Sequence, residues 1–341
     1  MELNYEVVEL VPRHVFRTAR TASAKSDSVI VTLTDGDLVG LGEAAPARYY
    51  GETAETVTAY LERMRPVVGR SAHESELMSH LTARGGYDEP SARASLEIAA
   101  HDMMGKRFGV PLYRHFELDP ADAPLTTISI GLDTPEAMVE KALEVKAYPI
   151  LKVKLDAEID VSVVARIREA TGARVTADAN CSWTVAESIE KVADLARMGV
   201  ELLEQPVVAD DIDGLRRVRD HSTIPIYADE SCPTSRDVVS VSDAVDGVVV
   251  KFMKGGGFVD ALRMVREARS RGLGTMLGCM LESSIGITAA AHVSPLVDYA
   301  DLDSAFLIGN DPYVGMTIDR GKMVLPDRPG LGVRPAGDQE E

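Results

Sequence analysis

Cysteine is scarce: Cys181, Cys232 and Cys279 are the three in 341 residues, far apart and without a CxxC pair. That excludes a disulfide framework, suggests no zinc site and suits a reducing cytoplasm. No apolar run approaches the length of a membrane-spanning helix, and acidic residues break the short one in the amino-terminal MELNYEVVELVPRH. The chain therefore reads as soluble, unexported and cytoplasmic, with no membrane partner. Low-complexity linkers are missing too. Positive charge is in short supply: 36 Lys+Arg face 54 Asp+Glu, a formal net charge of −18. That balance disfavours nucleic acid and favours small molecules or proteins as partners. Lysine is the scarcer cation, ten against twenty-six arginines, and an acidic, lysine-poor surface is compatible with a high-salt habitat as well as with ordinary solubility.

What is present begins with 45% hydrophobic residues, enough for one large domain with an appendage or for two domains. The alternating SVIVTL (28–33), a turn at Asp35 to Asp37 and LVGLGEAAP have the pattern of an antiparallel meander. Helical periodicity follows, and the run from Ser91 to Phe108 ends at Gly109 as at a C-cap. Residues 1–125 thus form an α+β module. From Thr126 the texture becomes short apolar strands separated by helical segments: TTISIG (126–131), PILKVKL (149–155), RVTAD (174–178), ELLEQ (201–205), PIYAD (225–229), GVVVK (247–251), GTMLG (274–278) and a stretch ending in DYADLD (298–303). Eight strands roughly 25 residues apart describe a (β/α)8 barrel over 126–312, with its active site at the carboxyl ends of the strands. The tail, 313–341, is too short for a domain and is expected to pack back on the first module.

Polar residues gather at those strand ends. Asp178, Glu204 and Asp229 close three successive strands in TADAN, LLEQP and YADES. One acidic residue at a strand end caps a helix as often as not; three in succession would surround one point, and an all-oxygen ligand set suits Mg2+ better than zinc or copper. Lys152 and Lys154 are two apart in ILKVKL, so both enter the barrel, and Lys251 ends the sixth strand, across from the second. Desolvated, cationic surroundings depress a lysine pKa and let the neutral amine act as a base. A lysine on each side of a metal-held carboxylate is a design for removing and replacing the proton on the neighbouring carbon, that is, for racemisation or epimerisation.

With those residues the chain resembles the enolase superfamily, and within it the muconate-lactonising-enzyme subgroup, most of all the dipeptide epimerases, over essentially its whole length. The resemblance is carried by GLGEAAP and GET, the helix EIAAHDMMGKRFGVPLY, then LKVKL, DAN, EQP, ADES, VKFMKGGG, GCMLESSIGITAAAH, DLD and PGLGV. It implies a modified barrel under an α+β cap and one Mg2+ per subunit on Asp178, Glu204 and Asp229. Lys154 and Lys251 would be the acid/base pair, and Lys152 would support both the enolate and the basicity of Lys154. It further implies that Asp301 and Asp303 hold the α-ammonium of a dipeptide, with Thr127, Cys279, Met280 and Leu281 lining the pocket. The epimerised residue would be the one bearing the free carboxylate. In the cap, Arg17, Arg20 and Lys25 could pair with an acidic side chain, as in Ala-Glu epimerases, but the loop's length differs from that pattern; Tyr49 and Tyr50 suit apolar or cationic side chains at least as well. No histidine falls at a strand end, which disfavours the mandelate-racemase branch, and His292 is expected to pack on a helix. Lys254 and Gly255 to Gly257 lack P-loop spacing and read as a turn. The same machinery serves o-succinylbenzoate synthases and N-succinylamino-acid racemases, though Asp301 and Asp303 would repel a succinyl group. A Schiff-base aldolase and a non-catalytic barrel are the readings from other classes. A single sequence leaves self-association open.

Overall fold

The computed structural model describes residues 1–84 and 89–338. Strand β1 (Glu2–Leu10) is followed by a small hairpin, β2 (Phe16–Arg17) with β3 (Ala22–Ser23), and then by β4 (Ser26–Asp35) and β5 (Leu38–Ala44). Gly36, with φ of +60°, makes the turn expected between the last two. The long strands form an antiparallel sheet in the order β1-β4-β5. The continuous apolar run of β4 reflects two cores: Val29, Val31 and Leu33 face the cap's own core, whereas Ile30 joins the barrel's.

Helices α1 (Ala54–Arg70), α2 (Glu74–Arg84) and α3 (Pro90–Phe108) cover this sheet. Thr53 and Thr56 form a capping box at the start of α1, and Gly109 ends α3 in the left-handed conformation. α3 is buried almost all round because the sheet covers one side and the barrel the other. Backbone meets backbone here: a Cβ on Gly42 would come to 1.9 Å from the Ser95 carbonyl oxygen of α3. Gly42→Ala is therefore expected to cost about 1–3 kcal/mol, as overpacking without a flexible neighbour to yield, read from the shift of a denaturant unfolding midpoint.

The barrel follows as eight parallel strands in sequential order: β6 (Ile128–Ile130), β7 (Ile150–Lys154), β8 (Arg174–Asp178), β9 (Val200–Glu204), β10 (Ile226–Ala228), β11 (Gly247–Val250), β12 (Gly274–Gly278) and β13 (Tyr299–Asp301). Thr127 N donates to the Ala300 carbonyl at 3.0 Å and closes the circle. The chain is thus a (β/α)8-type barrel under an α+β cap. Its tail forms short strands β14 (Tyr313–Val314), β15 (Thr317–Asp319), β16 (Lys322–Val324) and β17 (Arg334–Pro335). Between the last two, Leu331 N donates to the buried Asp102 carboxylate of α3 at 2.8 Å, and Gly330 exchanges backbone bonds with Val110 and Leu112. Residues 339–341 of the tail lie outside the described residues. His292 is fully buried, accepting from Tyr113 N and meeting the Leu331 carbonyl, a packing role as expected. Among the described residues no helix is long and apolar enough to cross a membrane.

Candidate active site

Because side chains alternate along a strand, β7 sends Lys152 and Lys154 into the same interior. Lys251 follows β11, on the opposite side of the barrel, and Lys254 follows one helical turn later, in Phe252–Gly255. These four of the ten lysines are at most 8% exposed. Buried ammonium groups need counterions, and the strand ends supply them. Lys154 Nζ lies 2.5 Å from Asp178 Oδ2, and Lys251 Nζ lies 2.7 Å from Asp229 Oδ2. Lys152 Nζ is 2.7 Å from both Glu204 Oε2 and Asp301 Oδ2, and 3.4 Å from Asp178 Oδ2. Lys254 Nζ donates to Asp229 Oδ1 at 2.6 Å and to the Asp229 carbonyl at 2.7 Å.

The electrostatics follow from these pairs. Burial works against charge on Asp178, but Lys154 and Lys152 outweigh it and hold the carboxyl well below its usual range; Lys251 and Lys254 do the same for Asp229. Glu204 is different: burial, with the charge of Asp178 beside it, pushes it up to about 8. Neither of its oxygens accepts a hydrogen bond, although Lys152 Nζ is within ion-pair distance of one. For Lys251, burial pulls the pKa down, yet Asp229 and Glu204 overcome it and the net shift is upward. The depression expected from the sequence is not seen there, because in this arrangement the lysines are the carboxylates' counterions.

Asp178, Glu204 and Asp229 end three adjacent strands, with Lys152 between Asp178 and Glu204 and with Lys251 and Lys254 on Asp229. Among the described residues no three of His, Cys, Asp and Glu already form a metal cage. The donor set still fits a hard divalent cation: it is all oxygen, it is buried, and Glu204 accepts no hydrogen bond, its Oε2 meeting only the Lys152 ammonium.

Across the ring, Asp301 Oδ1 accepts from Thr127 Oγ1 at 2.5 Å, and Asp303 Oδ2 accepts from Ser129 N at 2.6 Å. Thr127, Lys152 and the DLD pair are therefore one constellation. Burial and the neighbouring Asp301 push Asp303 up to about 7. Cys279, Met280 and Leu281 follow β12, half-buried; burial with Asp303 and Asp301 pushes the Cys279 thiol up.

The sequence did not announce the wall between ring and solvent. Asn180, Cys181 and Gln205 adopt left-handed backbone just after β8 and β9, an uncommon conformation for side chains other than Asn and Asp; Asn180 and Cys181 come to the mouth, whereas Gln205 is fully buried. Asn180 N donates to Asp178 Oδ1 at 2.8 Å, and Asn180 Nδ2 reaches Asp178 Oδ2 and Glu230 Oε1. Arg20, from the cap's hairpin region, ion-pairs with the buried Glu230, lies over the Tyr49 ring at 4.3 Å and approaches Cys181 Sγ. Lys25 instead pairs with Glu9 at the surface, and Arg17 is exposed. Beside this ion pair opens a cavity of about 520 Å³, lined by Tyr49, Asp156, Glu158, Cys181, Val208 and Ala209 among others.

A buried set of lysines and carboxylates at the strand ends of a capped (β/α)8 barrel defines an acid–base enzyme that works beside a cation centre. Residues 4–115 match the mandelate racemase/muconate lactonizing enzyme N-terminal domain, and residues 136–339 match the enolase C-terminal domain-like family. The chain belongs to the enolase superfamily, in its muconate-lactonising-enzyme subgroup, and is dipeptide-epimerase-like. The L-Ala-D/L-amino acid epimerase of Maribacter sp. is 35% identical to it over 98% of this chain and 99% of that protein. The hydrophobic dipeptide epimerase of Roseobacter litoralis is 36% identical over 97% and 98%. Among solved structures, the dipeptide epimerase of Enterococcus faecalis complexed with Mg and L-Leu-L-Tyr superposes with a TM-score of 0.91, at 30% identity, over 97% of this chain and 98% of that one.

Proposed function

We propose that this protein is a dipeptide epimerase that inverts the α-carbon of the carboxyl-terminal residue. The carrying observation is the placement of Lys154 and Lys251 on opposite strands of the barrel, with Asp178, Glu204 and Asp229 between them. Asp178, Glu204 and Asp229 would hold Mg2+, which supplies positive charge to offset what builds on the substrate carboxylate as the neighbouring C–H bond breaks. Lys154 or Lys251, once released from its carboxylate and neutral, takes the α-proton from one face; the other, as its ammonium, delivers a proton to the opposite face. Lys152, held by Glu204 and Asp301, adds a fixed positive charge beside the same carboxylate. Asp301 and Asp303 receive the substrate's ammonium, Asp301 already oriented by Thr127. We take residues 1–125 with the tail as the cap and 126–312 as the catalytic barrel.

With the two ends so fixed, the side chain of the inverted residue faces the cavity beside Arg20. Arg20 is already paired with Glu230, and Asp156 and Glu158 would repel a further carboxylate. Tyr49, Cys181, Val208 and Ala209 favour an apolar or aromatic side chain. Two of the relatives above are named for hydrophobic dipeptides or for amino acids in general rather than for glutamate alone. Incubating the protein and Mg2+ with a library of L,L-dipeptides in D2O, and reading deuterium gain by mass spectrometry, tests both points. Label at the α-carbon of apolar carboxyl-terminal residues is expected. No label anywhere overturns the dipeptide assignment and favours N-succinylamino acids, while label confined to Ala-Glu overturns the side-chain assignment.

A pH dependence follows from Asp303. An ammonium needs the carboxylate form, so with this group near 7 the KM is expected to rise as pH falls through 7, approaching about ten-fold per unit. Asp303→Asn is expected to raise KM by about 10–100-fold and flatten that dependence. Initial rates between pH 5.5 and 8.5 check both.

A further inference from the structure

We propose that Lys254 is a positioning residue for the cation centre, fixing Asp229 so that a single oxygen faces the metal. The inference rests on the reading of Asp178 and Asp229 as Mg2+ ligands. The two aspartates share one pattern, an acid/base lysine on Oδ2 and a separate donor on Oδ1. Oδ2 of each is taken by one of the acid/base lysines, Lys154 at 2.5 Å and Lys251 at 2.7 Å. Oδ1 of each is taken by a donor that has no part in moving protons: Asn180 N at 2.8 Å for Asp178, and Lys254 Nζ at 2.6 Å for Asp229.

Lys254 also donates to the Asp229 main-chain carbonyl, so one ammonium grips the residue at both ends and fixes its side-chain rotation. It is 1% exposed, whereas Lys251 and Lys154 are each 8% exposed and lie at the mouth. When those two leave their carboxylates to handle protons, Lys254 stays. Asp229 then offers Oδ2 alone; Asp178, held at Oδ1 by Asn180 N, keeps Asn180 Nδ2 and Lys152 Nζ near its Oδ2. Glu204 accepts no hydrogen bond and has only its ion pair with Lys152, so it is the least constrained of the three.

Charge and position make opposite forecasts. An ammonium beside a ligand carboxylate repels a dication, so a purely electrostatic Lys254 weakens Mg2+ binding and its removal tightens it. A positioning Lys254 strengthens binding, and its removal loosens it. Groups that orient metal ligands typically contribute about 10–100-fold in affinity. The test titrates Mg2+ calorimetrically into the full chain, its Lys254→Met variant and its Lys254→Gln variant, with Mn2+ electron paramagnetic resonance as a second readout. Lys254→Met is expected to weaken Mg2+ by about ten-fold or more, broaden the Mn2+ signal and lower kcat more than it raises KM. Lys254→Gln keeps a donor and is expected to recover affinity to within about three-fold of the parent. Affinity unchanged or tighter in Lys254→Met overturns the proposal.

Should Lys254→Met fail to fold, a crystal structure of the Mg2+-loaded parent decides. Lys254 Nζ on Asp229 Oδ1 with Oδ2 on the metal supports the proposal; a bidentate Asp229 or a displaced Lys254 overturns it. A parent protein that binds no Mg2+ overturns the ligand assignment itself, and this inference with it.

Discussion

Lys154→Ala and Lys251→Ala are each expected to abolish epimerisation, lowering kcat by about 10^2- to 10^4-fold or beyond detection, the range that a positioned acid or base contributes. Each variant should nevertheless leave one half of the chemistry alive. The surviving lysine still faces one side of the α-carbon, so it can exchange the hydrogen of the epimer that presents it there. Deuterium wash-in from D2O, followed separately for the L,L and L,D peptides by mass spectrometry, should show complementary losses in the two variants. Loss of exchange for both epimers in both variants would point to collapse of the carboxylate ring, and full exchange in either would remove that lysine from the mechanism. Lys154 and Lys251 each neutralise a buried aspartate, so thermal melting belongs beside the kinetics.

Glu204→Gln separates function from stability more sharply. Neither oxygen of Glu204 accepts a hydrogen bond, so the amide gives up only the ion pair with Lys152, whose ammonium keeps Asp301 and Asp178 as counterions. The carboxyl is raised above its ordinary 4.5 to about 8, so its favourable contribution to the fold is complete below pH 4.5 and is lost as pH rises through 8. Without metal, then, the variant is expected to melt no lower than the parent at neutral and alkaline pH. With Mg2+ the order reverses. A ligand at about 100 times its Kd adds about 2.7 kcal/mol to the parent's stability and nothing to a variant that does not bind it. Differential scanning calorimetry with and without Mg2+ reads both arms, and activity should fall by about 10^3-fold or more. An Mg2+-dependent rise in Tm equal to the parent's would exclude Glu204 from the ligand set.

The barrel strands were legible because each is a short apolar run ended by a polar residue; RVTAD and GTMLG are found with the ends read from the sequence. Asp178, Glu204 and Asp229 stood out because each closes such a run. β1 was harder to read. Its inward positions shift phase along the strand: Leu3 and Tyr5 pack on the cap core, Val8 on the barrel core, and Val7 between them is exposed, so simple alternation fails. Lys254 was hidden by its neighbours, since a lysine before three glycines reads as a turn, and only the single helical turn after β11 brings it back onto Asp229. The Arg20–Glu230 pair joins residues 210 positions apart, and no local pattern marks such a partner; the excess of acidic residues makes any one pairing invisible in composition.

The placement of the lysines has a practical side. Amine-directed reagents such as activated esters or glutaraldehyde would find Lys25, Lys146 and Lys322 on the outside, with Lys106, Lys141 and Lys191 partly reachable, while the four at the barrel's strand ends are buried in ion pairs. Tethering or labelling through amines would therefore spare the lysines to which we assign proton transfer. Dicarbonyl reagents aimed at guanidinium groups would meet Arg20 at the entrance, so the same protein that tolerates one coupling chemistry is open to blockade by the other.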